Sequence, residues 1–275
     1  MEVALVTIGR LENQYAIEFV EYYLKLGFNH IYIGDNNHGD EEHFEEVLQP
    51  YIDKKLVTII NVRDQISIQH RFYKEMYEFL QHKYDWIAFY DFDEFLVLNK
   101  HKTIQEYLSE PIFNNFNQIL INWRLYTDNG LIHNDGRPCL ERFNKPMKED
   151  KQISYNFPQN NHVKSLIRGK INLGEVFLDN PHQFNNIKLN NTTCNSKGYQ
   201  IANCPFTQYD FELAYIKHFT TKTIEEYLNI KYKRGTADRS FELFKKYWNI
   251  DSFFLYNEKT PEKLAFIENY LHKLN

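Results

Sequence analysis

Residues 86–98 of this 275-residue chain have the sequence WIAFYDFDEFLVL, in which three carboxylates stand inside an apolar run. Burying an unpaired carboxylate is costly, and the run offers neither Lys nor Arg as a partner. Residues two apart on an extended segment point the same way, so Asp91 and Asp93 can face one ligand. Hard oxygen donors suit Mg²⁺ or Mn²⁺, which bridge to phosphate. The run therefore predicts a buried strand ending in a metal-diphosphate site; the alternative is a solvated turn whose acids cap a helix.

The residues before this run alternate between strand and helix patterns. Short apolar segments predict strands at 3–8, 30–34, 56–62 and 86–90, and apolar residues at helical spacing predict helices at 13–27, 41–51 and 68–83. This alternation predicts right-handed βαβ units in a mostly parallel sheet flanked by helices, hence the α/β class. Ligands of such sheets bind beyond the carboxyl ends of the strands, where Arg10, Asp35 and the Asp91–Asp93 segment lie.

The pattern changes after residue 100 without any low-complexity linker. Capping boxes at Thr103–Glu106 and Thr223–Glu226 predict two helix starts, and Thr260-Pro261 predicts a third. Residues 118–123 predict another strand, and residues 127–203 are rich in loops and Asn. The second half is therefore predicted to have a mixed α+β structure and to be part of the same fold.

The overall composition excludes several classes of protein. The net charge of -5 comes from basic and acidic residues mixed along the chain, so no basic surface for nucleic acid is predicted. The three cysteines show no CxxC spacing, which indicates a reducing compartment without disulfides. No leader and no apolar stretch of membrane-spanning length is recognised, so we expect a cytoplasmic protein, with peripheral contact at the inner face of the membrane left open.

Several charged residues near the predicted strand ends are candidates for binding a nucleotide. Asp35 can accept hydrogen bonds from a base or ribose, or simply form an Asx-turn. Arg71, early in the third helix, could contact a diphosphate, although a solvated helix charge is the simpler interpretation. Lys164, Arg168, Lys222 and Arg234 are further candidates for neutralising a diphosphate.

Four later residues are candidates for catalysis or metal binding. Asp128 and Glu141 could each take a proton from an acceptor hydroxyl; the alternatives are a turn acid at Asp128 and an ion pair of Glu141 with Arg142. His182 and His218 could complete a metal shell begun by the aspartates, although histidines are more often surface or capping residues. Glu94 is expected to anchor the turn that follows Asp93.

Several blocks together resemble a bacterial glycosyltransferase family that is family-2-like, related to family 92 and common in capsule and lipopolysaccharide gene clusters. The blocks that carry the resemblance are 10–15, 18–27, 32–37, 86–96, 122–130, 141–143, 162–165 and 217–235. Residues 1–100 would then be a nucleotide-sugar-binding half, and residues 101–275 an acceptor-binding and C-terminal helical half of one domain.

The resemblance implies a GT-A fold, a UDP-sugar donor, Mn²⁺ or Mg²⁺, a saccharide or lipid-linked saccharide acceptor, and inversion at the anomeric carbon. Asp93 would ligate the metal, Asp91 would hold ribose or metal, and Asp35 would contact uridine. The opening has Glu12-Asn13 where related families commonly have Asn-Glu, which leaves a nucleotide role for Glu12 unsupported.

Other classes of protein could also use this pattern. A nucleotidyltransferase shares the sheet and Mg²⁺ but needs a Gly-rich basic loop after the first strand, which residues 9–12 supply poorly. A phosphatase of the Asp-X-Asp type needs its motif on the first strand, whereas here it follows the fourth. A non-catalytic nucleotide- or carbohydrate-binding protein stays open.

Overall fold

The computed structural model describes residues 1–148, 153–154, 157–171, 173, 175–178, 180–235 and 249–273. Its strands are β1 Val3–Gly9, β2 His30–Asp35, β3 Val57–Asn61, β4 Trp86–Phe89, β5 Glu94–Leu98, β6 Gln118–Leu125, β7 Ile153–Ser154, β8 Phe157–Pro158, β9 Val163–Arg168, β10 Thr193–Asn195 and β11 Ala214–His218. Its α-helices are α1 Asn13–Lys25, α2 Glu45–Asp53, α3 Gln69–Leu80, α4 Ile104–Leu108, α5 Cys139–Arg142, α6 Ile224–Glu226, α7 Tyr232–Arg234, α8 Ile250–Tyr256 and α9 Pro261–His272. A π-helical turn, Tyr227–Lys231, joins α6 to α7.

One mixed sheet runs through the described residues in the order β3–β2–β1–β4–β9–β6–β11–β5, with β10 beside β6. The strands β3, β2, β1 and β4 are all parallel, which confirms the predicted α/β class. β9 lies antiparallel between β4 and β6, and β11 is parallel to β6 but antiparallel to β5. Strands from before and after residue 100 therefore share one sheet.

The opening run 86–98 forms two strands. β4 ends at Phe89, the chain turns through Asp91–Asp93, and β5 begins at Glu94 on the far edge of the sheet. The predicted strand before the acidic segment is confirmed, and the apolar residues after it form a second strand that pairs with β11. The aspartates thus occupy the turn between a central and an edge strand.

Aromatic side chains fill both faces of the sheet. On the α1 face, Phe19 packs 4.7 Å from Phe92, which stacks on Phe44 with 5.2 Å between ring centroids. A Cβ on Gly9 would lie 2.6 Å from the Phe92 ring, so only glycine allows this approach. The abundance of Phe and Tyr therefore serves core packing first, and it fixes Phe92 behind the two aspartates.

The helix starts follow the predicted signals in the second half more closely than in the first. The capping boxes at Thr103 and Thr223 are formed, and Thr260 caps the helix that begins with Pro261. Asn13, predicted to open α1, is its first helical residue, and Glu12 occupies the cap position without a side-chain hydrogen bond to the helix.

Within the described part of the chain, no helix combines the length and apolar character that crossing a membrane requires.

Candidate active site

The acidic turn after β4 is closed by Glu94. The Asp91 amide donates to Glu94 Oε2 over 3.0 Å, and the Glu94 amide donates back to the Asp91 carbonyl at the same distance. Glu94 is fully buried, and burial raises its pKa well above the usual range despite the nearby Lys164 ammonium. Glu94 therefore anchors the turn formed by residues 91–94, whereas the sequence placed the anchored turn after Asp93.

Asp91 is held by side chains from two other elements. Lys164 of β9 approaches Asp91 Oδ2 to 2.7 Å, while Gln69 and Tyr73 of α3 donate to Oδ1 over 2.9 and 3.0 Å. Lys164 also lies 3.6 Å from Glu94 Oε2 and is itself fully buried. A lysine supplies the positive charge that the sequence pattern attributed to a metal, so the described contacts favour Asp91 as an oriented hydrogen-bond acceptor over a metal ligand.

Asp93 faces a different set of positive groups. Its Oδ1 lies 3.6 Å from His218 Nε2, and its Oδ2 lies 4.0 Å from Lys231 Nζ. Burial by itself would raise the Asp93 pKa, but His218, Lys222 and Lys231 outweigh it and hold the pKa well below the usual range. Asp93 is therefore a buried carboxylate, held in its charged form, beside an imidazole.

The donor atoms of Asp93 and His218 suit a divalent cation. Asp93, Glu94 and His218 present ligand atoms that all lie within 4.8 Å of one another. Two ligands about 2.1 Å from one ion lie roughly 3–4 Å apart, which brackets the 3.6 Å observed between Asp93 and His218. Burial lowers the His218 pKa, although the Asp93 carboxylate opposes that shift, and an imidazole nitrogen is a common metal ligand. Glu94 Oε1 is buried without a hydrogen-bond partner among the described residues.

A small pocket lined largely by charged and polar side chains opens beside Asp93. Its cations are Lys222, which lies 4.2 Å above the Tyr15 ring, together with Lys231 and Arg234. Burial lowers the Lys231 pKa to about 8, although the Asp93 carboxylate opposes that shift. The remaining lining residues are Thr220, Thr221, Glu226 and Ile230. Such a pocket favours an anion with several oxygens.

The cations Lys231 and Arg234 reach the pocket from the helical segment after the second capping box. The π-helical turn Tyr227–Lys231 changes the spacing of side chains there, a feature that is frequent at functional sites. Arg234 is bonded to the Glu12 carboxylate and to the Arg10 carbonyl. The sequence pattern indicated Lys222 and Arg234 but not Lys231, and the signal for Lys231 was its spacing of three from Arg234 in the helical segment after the second capping box.

Arg10, just after β1, and Asp35, the last residue of β2, are both paired with residues of neighbouring loops. Arg10 pairs with Glu41 over 2.6 Å. Asp35 accepts from the Asn37 amide over 3.0 Å, which is the Asx-turn weighed from the sequence, and from Arg63 over 2.8 Å. Their roles in nucleotide binding stay predictions, and each role requires sharing or exchanging these contacts.

Arg71 and His182 lie apart from the Asp93 cluster. The Arg71 side chain is 63% exposed and pairs with Glu75, as expected of a solvated helix charge. His182 lies beside Trp123, with its Nδ1 3.0 Å from the Val163 carbonyl, and burial lowers its pKa well below the usual range. His182 is outside the group of potential ligands that contains His218.

The two candidates for a catalytic base differ in exposure. Asp128 is buried in an ion pair with Lys263, and its Oδ1 accepts from the Gly130 amide over 2.8 Å. Glu141 is exposed on α5. The ion pair considered between Glu141 and Arg142 is not formed, because Arg142 pairs with Glu226 over 2.8 Å. The base assignment stays a prediction that these contacts do not favour.

Comparison with known proteins relates the chain to sugar-transferring enzymes. The profile of Glycosyltransferase family 92 matches residues 6–252. No curated protein sequence matches the chain. The crystal structure of S. aureus TarS 1–349 is similar with a TM-score of 0.45 and 12% identity, over 93% of this chain and 71% of that one.

Two similar structures contain ligands. TarS 1–349 in complex with UDP-GlcNAc has a TM-score of 0.37 and 12% identity, over 48% of this chain and 37% of that chain. GalNAc-T7 with UDP, GalNAc and Mn²⁺ has a TM-score of 0.31 and 15% identity, over 47% of this chain and 23% of that chain. The match therefore spans little more than a third of the TarS chain in that complex and under a quarter of GalNAc-T7.

Proposed function

This chain belongs to glycosyltransferase family 92, and we propose that it transfers a hexose from a UDP-sugar to a glycan acceptor in surface polysaccharide or lipopolysaccharide synthesis. The observation that carries the proposal is one pocket beyond β4 in which three cationic side chains converge on Asp93, with His218 next to that carboxylate. A pocket with these charges suits a diphosphate together with a divalent ion.

Each group in the pocket has a role in this proposal. Asp93 and His218 hold Mn²⁺ or Mg²⁺, which when bound would stabilise the charge of the departing diphosphate. Lys222, Lys231 and Arg234 bind the phosphate oxygens directly, and Asp91, oriented by Lys164, accepts hydrogen bonds from the ribose. Asp35 contacts the base after releasing part of its Asx-turn.

The acceptor side of the reaction needs a base. Inversion at the anomeric carbon requires a carboxylate to take the proton of the acceptor hydroxyl. Glu141 is exposed and able to meet an acceptor, whereas Asp128 would first have to leave Lys263. A saccharide or lipid-linked saccharide would enter from this side.

The test is turnover of UDP-sugars by the Asp93→Ala variant. We expect the parent protein to hydrolyse or transfer at least one UDP-sugar with Mn²⁺, and the variant to lose at least about a hundredfold in rate because an electrostatic stabiliser is removed. Circular dichroism would verify the fold, and Asp53→Ala, at an exposed helix end, is the control. Full activity in folded Asp93→Ala protein would contradict the proposal.

A further inference from the structure

We infer that Lys231 and a divalent cation compete for Asp93, so that a nucleoside diphosphate and the cation bind with positive cooperativity because the diphosphate draws Lys231 away. Both ligands are those of the proposed function, on which this inference rests. Lys231 thereby pairs with Asp93 when neither ligand is bound, and it binds a phosphate oxygen when the diphosphate is bound.

The two oxygens of the Asp93 carboxylate face different side chains. His218 Nε2 lies 3.6 Å from Oδ1, and Lys231 Nζ lies 4.0 Å from Oδ2. Both Asp93 and Lys231 are largely shielded from water, with side chains 11% and 15% exposed. A cation held by Asp93 would lie close to the Lys231 ammonium, and repulsion between like charges is strong where water is scarce. Metal binding alone is therefore opposed by Lys231.

The net charge of the pocket also favours joint binding of the cation and the diphosphate. Lys222, Lys231 and Arg234 supply three positive charges, and Asp93 and Glu12 supply two negative ones, which leaves one net positive charge. Glu226 is neutralised by Arg142. A divalent cation alone raises the imbalance, whereas UDP, with about three negative charges, cancels the sum when it enters with the cation. The pocket is closest to neutrality with both ligands present.

Lys231 can change partners without rearrangement of the backbone. Its ammonium donates to the Thr220 carbonyl over 2.7 Å while facing Asp93. Lysine carries its charge on a flexible four-carbon stem with three rotatable donors, so one hydrogen bond can persist while another is exchanged. The diphosphate in the same pocket offers that second partner, and Asp93 becomes free to ligate.

The decisive experiment is calorimetric binding of Mn²⁺ alone, UDP alone in EDTA, and each in the presence of the other. Lys231→Gln should change the two separate affinities in opposite directions: Mn²⁺ should bind several-fold more tightly because a competitor is gone, and UDP about tenfold more weakly because a phosphate ligand is gone. The factor by which UDP enhances Mn²⁺ binding should fall. Lys233→Gln, two residues away and exposed, is the matched control and should leave all three quantities unchanged.

A second variant tests the same competition from the other side. Asp93→Asn removes the anion that engages Lys231, so UDP in EDTA should bind several-fold more tightly than to the parent protein. Unchanged or weaker Mn²⁺ binding by Lys231→Gln, or unchanged or weaker UDP binding by Asp93→Asn, would overturn the inference.

Failure of the proposed function has a different signature. If Lys231→Gln shifts the Mn²⁺ and UDP affinities in opposite directions but no sugar is transferred, the inference is supported and the transferase is rejected. If sugar is transferred but Mn²⁺ and UDP bind independently, the transferase is supported and the inference is rejected. Absence of UDP binding in the parent protein under all conditions would reject both.

Discussion

At the scale of single residues, the charge compensation demanded by the run 86–98 is divided between two lysines and a histidine. Lys164 holds Asp91 and Glu94, while His218 and Lys231 face Asp93. The sequence shows that carboxylates stand in an apolar run and must be compensated. It does not show which cation compensates them, because Lys164 lies 73 residues beyond Asp91 and only the β4–β9 pairing brings the two together.

Replacing Lys164 with Met should destabilise the fold. The buried Glu94 and the partly buried Asp91 lose their shared counter-ion, which costs about 3 kcal/mol after allowance for the exposure of Asp91. Urea unfolding followed by fluorescence would measure the loss. Lys170→Met, which removes an ion pair of Lys170 with Asp85 at the surface, should cost under about 1 kcal/mol. Equal costs for the two variants would contradict the assigned role of Lys164.

His162 should make stability depend on pH. Burial lowers the His162 pKa to about 4, and the ring stacks on Trp123 with 4.7 Å between centroids. Since the unfolded imidazole titrates near 6.5, its contribution is complete above that pH and is lost as pH falls towards 4, by about 3 kcal/mol. Unfolding of His162→Phe, which keeps a stacked ring, should therefore vary less between pH 7 and pH 4 than that of the parent. His82→Phe, at an exposed position, is the control, and parallel pH profiles for His162→Phe and the parent would refute the prediction.

At the scale of elements, local signals predicted where helices start and where the first strands lie, but not how the edge strand is placed. The Thr103 and Thr223 capping boxes are contained within four residues each, so their sequence specifies them fully. β5 follows β4 after a short turn along the chain. In the sheet, however, β9, β6 and β11 lie between the two strands, and β5 is at the edge. Its neighbour β11 is more than a hundred residues away, and no local pattern encodes that pairing.

Glu226 connects three elements and positions the helical segment that carries Lys231 and Arg234. It completes the capping box of α6, pairs with Arg142 of α5 over 2.8 Å, and accepts from Tyr15 of α1 over 2.7 Å. Glu226→Gln removes the nearest counter-ion of the buried Arg142 and leaves it the more distant Asp135, 3.9 Å away, so we expect a loss of about 3 kcal/mol in stability. UDP affinity should also fall, because the segment with the two cations loses its anchor.

The neighbouring Glu225 supplies the control for this prediction. Its carboxylate contacts His133 and the Asn134 amide and is 31% exposed, so Glu225→Gln should change stability by under about 1 kcal/mol and leave UDP binding unchanged. Urea unfolding and calorimetry with UDP would measure both effects. An unchanged UDP affinity in folded Glu226→Gln protein would show that the anchor does not position the pocket.

At the scale of the whole molecule, the last helix is tied to the loop after β6 by one buried ion pair. Lys263 at the start of α9 bonds Asp128, and Asn257 accepts from the Asp128 amide over 2.7 Å. Both charged side chains are almost fully buried. An acid in a polar loop after a strand is typical of a catalytic base, which is why the sequence suggested that role for Asp128. The same position also suits a structural acid, whose partner Lys263 lies 135 residues further on.

Separate and combined substitutions of this pair should distinguish a structural Asp128 from a catalytic one. Lys263→Met should cost about 3–5 kcal/mol and increase hydrogen exchange across Pro261–His272, because Asp128 is left buried and unpaired. Adding Asp128→Asn should restore much of that loss, since the uncompensated charge is gone. Lys259→Met, at an exposed position, is the control. If the restored double variant keeps sugar transfer, Asp128 is a structural anchor; if it folds as well as the parent and yet transfers no sugar, Asp128 is the base, and opening of the contact with Lys263 becomes a step of the reaction.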